Sequence, residues 1–475
     1  MMRITLSSAC LLVVVSTAIF ADEPLQDDAS QSLKKAVGYF REHVASGGGY
    51  LWMYSADLSK REGEGVADDQ TVWIQPPGTP SVGLVYLDAY DATGDKFYLE
   101  TALEVGDCLV RGQLRSGGWD YRISFDPKQR KKYSYRVDPP TENARNTTTL
   151  DDNNTQAALR FMMRLDQTLG FKNKRIHEAT EFALSSLLKA QYPNGAWPQR
   201  YDRFPNPEDH PVLKANYPAT FSRTHPKKDY RNYYTFNDNA IADVVDVMFI
   251  AERTYNDKKY RQAAERAGGF ILLAQMPEPQ PAWAQQYNLR MQPAWARRFE
   301  PASITGGESQ GVMRTLLRLY RDTGDKKYLA PLPRAIEYLR KSQIDGGGLA
   351  RFYELRTNRP LYFTKQYVLT YDDGDLPTHY GFKVGNGLDS IEREYKRLSQ
   401  LPADQLGPPR ASKPKLSKSL ENQVRSVLAA LDSKGRWLED GKLKAHREEH
   451  SSQIISCRTF IKNAAVLSRY LSASR

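Results

Sequence analysis

Cysteine is scarce in this chain: 475 residues carry three, Cys10, Cys108 and Cys457. That excludes a disulfide-stapled scaffold and a thiolate metal cluster. Histidine is scarce too, with seven scattered residues and no pair at metal-ligand spacing. No glycine-rich phosphate loop and no nucleophile elbow occurs, which removes common nucleotide-handling and serine-hydrolase chemistries. Beyond residues 11–19 there is no long apolar run, so nothing reads as a membrane span. Acidic residues are outnumbered, 56 Asp and Glu against 67 Lys and Arg, for a net charge of +11. A basic protein without a nucleic-acid motif or a strongly basic amphipathic helix points to an acidic glycan as partner.

What is present begins with a secretory pattern. Arg3 precedes the apolar run 11–19, and Ile19, Phe20 and Ala21 lead to a cleavage point before Asp22. Residues 1–21 read as a signal peptide, so the mature protein is expected outside the cytoplasm, extracellular or periplasmic. Cys10 leaves with that segment. Cys108 and Cys457 then form either one bridge or two separate buried thiols.

The chain repeats itself. Residues 91–98 (Asp-Ala-Thr-Gly-Asp-Lys-Phe-Tyr) resemble 322–328 (Asp-Thr-Gly-Asp-Lys-Lys-Tyr), with shorter relatives at 255–260 and 170–176. Each reads as a turn between two helices, and Ala157, Phe161, Met162 and Leu165 show the helical spacing before one of them. The second helix of each pair ends in a related segment: Gly112-Gln113 running to Trp119, Ala190-Gln191 running to Trp197, Ala274-Gln275, and Ser342-Gln343. Helical hairpins repeated in this way predict an all-α fold, an (α/α) toroid around a central cleft, with an open solenoid as the alternative. The expected organisation is a toroid over 22–401, a proline-rich linker over 402–418, and C-terminal helices over 419–475 packing back on the toroid. A second proline-rich stretch, 202–232, is long for a connection inside a compact domain and reads as functional or disordered.

Two segments match at helix starts. Residues 149–154 (Thr-Leu-Asp-Asp-Asn-Asn) align with 235–240 (Thr-Phe-Asn-Asp-Asn-Ala), placing Asp152 opposite Asp238 and Asp151 opposite Asn237. Repeat symmetry would bring these acidic groups to one end of the fold, where carboxylate oxygens suit calcium. The competing role is helix capping, which Asp and Asn also favour. Trp197 and Tyr233 flank this region as possible sugar-binding aromatics, Trp197 equally as a core residue. Arg297 and Arg298, and Arg351 one repeat later, sit beside aromatics where a carboxylate could be held.

Five segments taken in order resemble the family 10 polysaccharide lyases, pectate lyases of the α/α-toroid type. They are 149–155, 190–199, 234–239, 296–301 and 350–354, within residues 80–385. The resemblance implies cleavage of polygalacturonate by β-elimination, with calcium bridging protein carboxylates and the uronate carboxyl group. It further implies that Asp151 and Asp238 hold the metal beside Asp152. Arg297, with Arg298 as rival, would be the base, and Arg351 would meet a substrate carboxylate. Departures are Asn154 and Ala196, where the family carries small residues and glycine, and the length of 202–232. A monomer is expected, with no nucleic-acid or membrane partner. The alternatives are a toroid glycoside hydrolase using Asp152 with Glu300 or Glu308, and a non-catalytic binder of acidic glycans.

Overall fold

The computed structural model describes residues 23–409 and 413–475. The signal segment expected over 1–21 lies outside them.

The repeated turn is built by two residues with separate tasks. Helix α2 (Thr79–Thr93) ends at Gly94, whose φ of 73° is a left-handed conformation that suits glycine. Asp95 then caps α3 (Lys96–Gly112), its side chain accepting from the Phe97 amide. The same logic recurs where Asn173 caps α6 (Lys174–Lys189) after α5 (Asn154–Thr168), and where Asp257 caps α8 (Lys258–Ala274) after α7 (Ala240–Tyr255). Helix α9 (Gly306–Thr323) ends at Gly324 with φ 75°, and Asp325 opens the next turn before α10 (Leu332–Lys341). A short turn of helix, α4 (Pro127–Arg130), sits in the loop after α3.

Helices α2, α5, α7 and α9 lie side by side in chain order, and α11 (Leu388–Gln400) flanks α9. At the other end of the row α13 (Cys457–Ala473) packs on α2, with α1 (Glu23–Tyr39) and α12 (Lys418–Ala429) against it. Strands 53–55 and 452–456 pair antiparallel, Met53 with Ser456, which joins the two ends of the described chain. The protein is therefore helix-rich, as expected. Unlike the all-α expectation, its interhelical loops also form small sheets of two to four short strands.

The second repeated segment explains how the hairpins are tied together. Trp119, Trp197, Trp283 and Trp437 are buried, and each indole N–H donates to a carbonyl near the end of the preceding helix: Leu109, Leu187, Ile271 and Val427. Otherwise orphaned helix-end carbonyls are satisfied in this way. Gln113, Gln191 and Gln275 each donate to a carbonyl in their own turn and to one in the following hairpin, Ala179, Ala263 and Pro331. One side chain per repeat thus fixes both the turn and the neighbour's position.

Cys108 and Cys457 are buried free thiols. Burial pushes the Cys108 thiol up to about 12, so it stays protonated and unreactive at neutral pH.

Candidate active site

Two equivalent turns build the site. Strands 148–149 and 200–201 pair, as do strands 234–235 and 286–287. The first strand of each pair runs into a tight turn, 151–153 and 237–239, before α5 and α7. Thr149 Oγ1 accepts from the Asp151 amide at 3.2 Å, and Thr235 Oγ1 accepts from the Asn237 amide at 3.0 Å. Asp152 and Asn153 have φ of 49° and 60°, and Asp238 and Asn239 have 46° and 58°. Consecutive left-handed residues other than glycine are costly, and such strain concentrates at functional sites. Neither turn uses an Asp or Asn side chain to cap its helix. The capping explanation therefore fails for these residues.

The two turns pack against each other. Ligand oxygens of Asp151, Asp152 and Asp238 all lie within 4.8 Å of one another. Tyr121 donates to Asp151 Oδ2 at 2.9 Å, and Arg200 Nη2 reaches the same oxygen at 3.2 Å. Asp151 Oδ1 is buried without a hydrogen-bond partner. Three carboxylates this close oppose one another's ionisation. Burial works against the Asp151 anion, but hydrogen bonds from Gln199 and Tyr121 and the charges of Arg297 and Arg200 hold its pKa below the usual carboxylate value. Asp152 is pushed up to about 7 by burial and by Asp151 and Asp238. Burial and Asp151 also raise Asp238, against the pull of Arg297.

Arg297 reaches into this group. Its Nη2 lies 3.1 Å from Asp238 Oδ2, its Nε 2.8 Å from Glu300 Oε1, and its backbone amide donates to Glu300 Oε2 at 3.1 Å. Burial opposes its charge, but Glu300, Asp238 and Asp151 outweigh that and raise its pKa further. Arg298 points elsewhere: it is exposed, donates to the Gln366 carbonyl at 3.0 Å, and lies over the Tyr367 ring. Geometry thus separates the arginine doublet. Arg351 pairs with Glu308 at 3.1 Å and donates to the Tyr380 hydroxyl at 3.0 Å. Tyr380 in turn donates to Glu300 at 3.3 Å, linking Arg351 to the Arg297 group.

Two expected sugar contacts are not in the group. Trp197 is 0 % exposed and spends its indole N–H on Leu187, so no ring face is open to a sugar. We expect Trp197→Ala to destabilise the fold by about 3–5 kcal/mol, as large core truncations do. Chemical denaturation would measure the loss. A stable variant with only a raised KM would restore the sugar-platform role. Tyr233 is half-buried beside Asp229, with no hydrogen bond to the carboxylates among the described residues.

Sequence reasoning missed Tyr121 and Gln285 and gave Gln199 no role. All three stand two positions after a repeat tryptophan: Trp119, Trp197 and Trp283. Tyr121 and Gln199 serve Asp151, while Gln285 donates to Asn237 and to Glu300 at 3.0 Å. That regularity is readable in the repeat itself.

Residues 113–319, which contain both turns, Arg297 and Glu300, match the family model for pectic acid lyase. Over these residues the chain is similar to the pectic acid lyase family. The protein is accordingly an enzyme, a polysaccharide lyase. Among solved structures, the lyase is similar to the family 10 polysaccharide lyase from Cellvibrio cellulosa. The identity is 19% and the TM-score 0.47, over 68% of this chain and 98% of that one. A mutant of the same enzyme in complex with trigalaturonic acid gives 19% and 0.46, over 67% and 98%. An unsaturated glucuronyl hydrolase specific for heparin gives 10% and 0.40, over 95% and 97%. No curated protein matches the lyase.

Proposed function

We propose that the protein is a secreted pectate lyase that cleaves polygalacturonate by calcium-assisted β-elimination. The observation carrying this reading is the Arg297 guanidinium paired with Asp238 inside a trio of carboxylates. The row α13, α2, α5, α7, α9 and α11 is taken as the wall of an α/α toroid whose cleft holds the site. Residues 1–21 are removed as a signal peptide.

The carboxylates fit a hard divalent cation. All three donors are oxygens, one of them is a buried orphan, and none is used for capping. Asp151, Asp152 and Asp238 would hold calcium. Bound there, the ion would draw charge from a uronate carboxyl group and acidify the proton on the adjoining ring carbon. Arg351, held by Glu308 and Tyr380, would meet a substrate carboxylate. Arg297, in its neutral form, takes the ring proton and becomes the charged guanidinium. The electrons left behind form the ring double bond as the glycosidic C–O bond breaks, and the leaving oxygen is protonated by solvent. Because Asp238 and Glu300 hold Arg297 charged, its guanidinium proton must first pass to solvent, which alkaline conditions favour.

A glycoside hydrolase would need a free acid and base. Glu300 is 1 % exposed and engages Arg297 through both oxygens, and Glu308 is tied to Arg351. Neither is available, which favours elimination. The test is ultraviolet absorbance of purified protein with polygalacturonate, with calcium and then with chelator. A calcium-dependent rise from the unsaturated product is expected. Reducing ends appearing without that absorbance would replace the lyase reading with a hydrolase.

A further inference from the structure

The 202–232 stretch is strapped across the loops that carry the arginines. The Ala215 amide donates to the Leu273 carbonyl at 2.8 Å, and Arg356 Nη2 to the Pro218 carbonyl at 3.0 Å. Arg223 pairs with Glu354 and donates to the Tyr371 hydroxyl at 2.8 Å. His225 Nε2 lies 3.0 Å from the carbonyl of Ala296, the residue before Arg297. Between this strap and the turn at Tyr367 is a pocket of about 580 Å³, a volume typical of ligand sites.

The pocket's lining is one-sided in charge. Arg223, Lys227 and Arg298 face it with His225, and no Asp or Glu lines it. Glu354 neutralises Arg223, but Arg298 is bonded only to a backbone carbonyl, and neither Arg298 nor Lys227 has a carboxylate partner among the described residues. Cations gathered in a cleft without counter-charges attract an anion. Trp295 and Arg298 line the pocket and His225 bonds the Ala296 carbonyl, so the pocket borders the loop that carries Arg297.

We propose that the strap, Arg298 and Lys227 form an outer substrate subsite that binds a uronate residue of the polysaccharide away from the bond being cleaved. This rests on the lyase reading above. The subsite lengthens the cleft, so its contribution grows with substrate length.

The test compares kcat and KM of the full-length protein on galacturonate oligomers from trimer to octamer, with calcium. Variants are Arg298→Ala, Lys227→Ala, their combination, and Lys365→Ala. Lys365 pairs with Asp375 outside the pocket and controls for loss of surface charge. The combined variant is expected to raise KM on the octamer by about tenfold, as for a lost charged hydrogen bond. Its kcat should stay near wild type and its trimer KM should move much less, while Lys365→Ala shows no length dependence. Equal losses at every length, or no loss, would overturn the subsite while leaving the lyase reading intact. A wild-type protein inert on all galacturonate oligomers would overturn both.

Discussion

Replacing Arg297 with alanine is expected to lower kcat on polygalacturonate by about a thousandfold, within the range that loss of a positioned base costs. KM should stay nearly unchanged, because Arg351 would still meet the substrate. Alanine also strips buried Glu300 of its cation, so thermal melting must accompany the kinetics. Arg297→Lys separates the two effects. It keeps a charge beside Glu300 but loses the planar fork that reaches Asp238 and Glu300 together. Its fold should be retained and its kcat should still collapse. The sign of the pH dependence follows from the ion pairs. Glu300, Asp238 and Asp151 raise Arg297 above an already high pKa, so its neutral form grows about tenfold with each pH unit through the alkaline range. Wild-type log kcat should therefore climb from pH 7 towards pH 10. A plateau across that range, or near-normal turnover by Arg297→Ala, would remove Arg297 as the base.

If the trio is the calcium site, Asp151→Asn and Asp238→Asn should each weaken calcium binding by more than the roughly 10- to 100-fold that loss of an outer partner costs, since each would remove a direct charged donor. Titration calorimetry without substrate reads this independently of activity. Calcium affinity of the wild type should also fall with acid, because Asp152, pushed up to about 7, exchanges metal for a proton below neutrality. Stability follows the opposite sign from an ordinary paired carboxylate. An Asp raised in the folded state penalises folding as pH climbs from the unfolded value near 4 to about 7, and the full penalty persists above. Calcium should therefore raise the melting temperature more at pH 8 than at pH 5. An equal shift at both pH values, or unchanged affinity in the two variants, would show that the trio is not the calcium site.

Both predictions rest on groups that the sequence pattern marks in part. The match between residues 149–154 and 235–240 places Asp152 opposite Asp238, and the two turns do share their threonine bonds and left-handed residues. The glycine and aspartate turns are legible for a similar reason: φ, capping and spacing are local properties that a few adjacent residues settle. Trp197 is harder to place, because an aromatic side chain is chemically suited to a sugar or a core, and only its neighbours decide which. The repeat holds a hint, since a tryptophan recurring at the same place serves the repeat before it serves a substrate.

The sequence by itself determined the repeated helical hairpins, the placement of acidic pairs at helix starts and the arginine doublet, because these depend on short-range pattern. Tertiary structure alone decided that Arg297 turns to the carboxylates while Arg298 turns to Tyr367, that Tyr380 joins Arg351 to Glu300, and that the 202–232 strap closes a basic pocket. Those contacts join residues 29 to 148 positions apart. Side-chain direction at a doublet, and the charge facing a pocket, are set by what other segments leave open there, which no local pattern encodes.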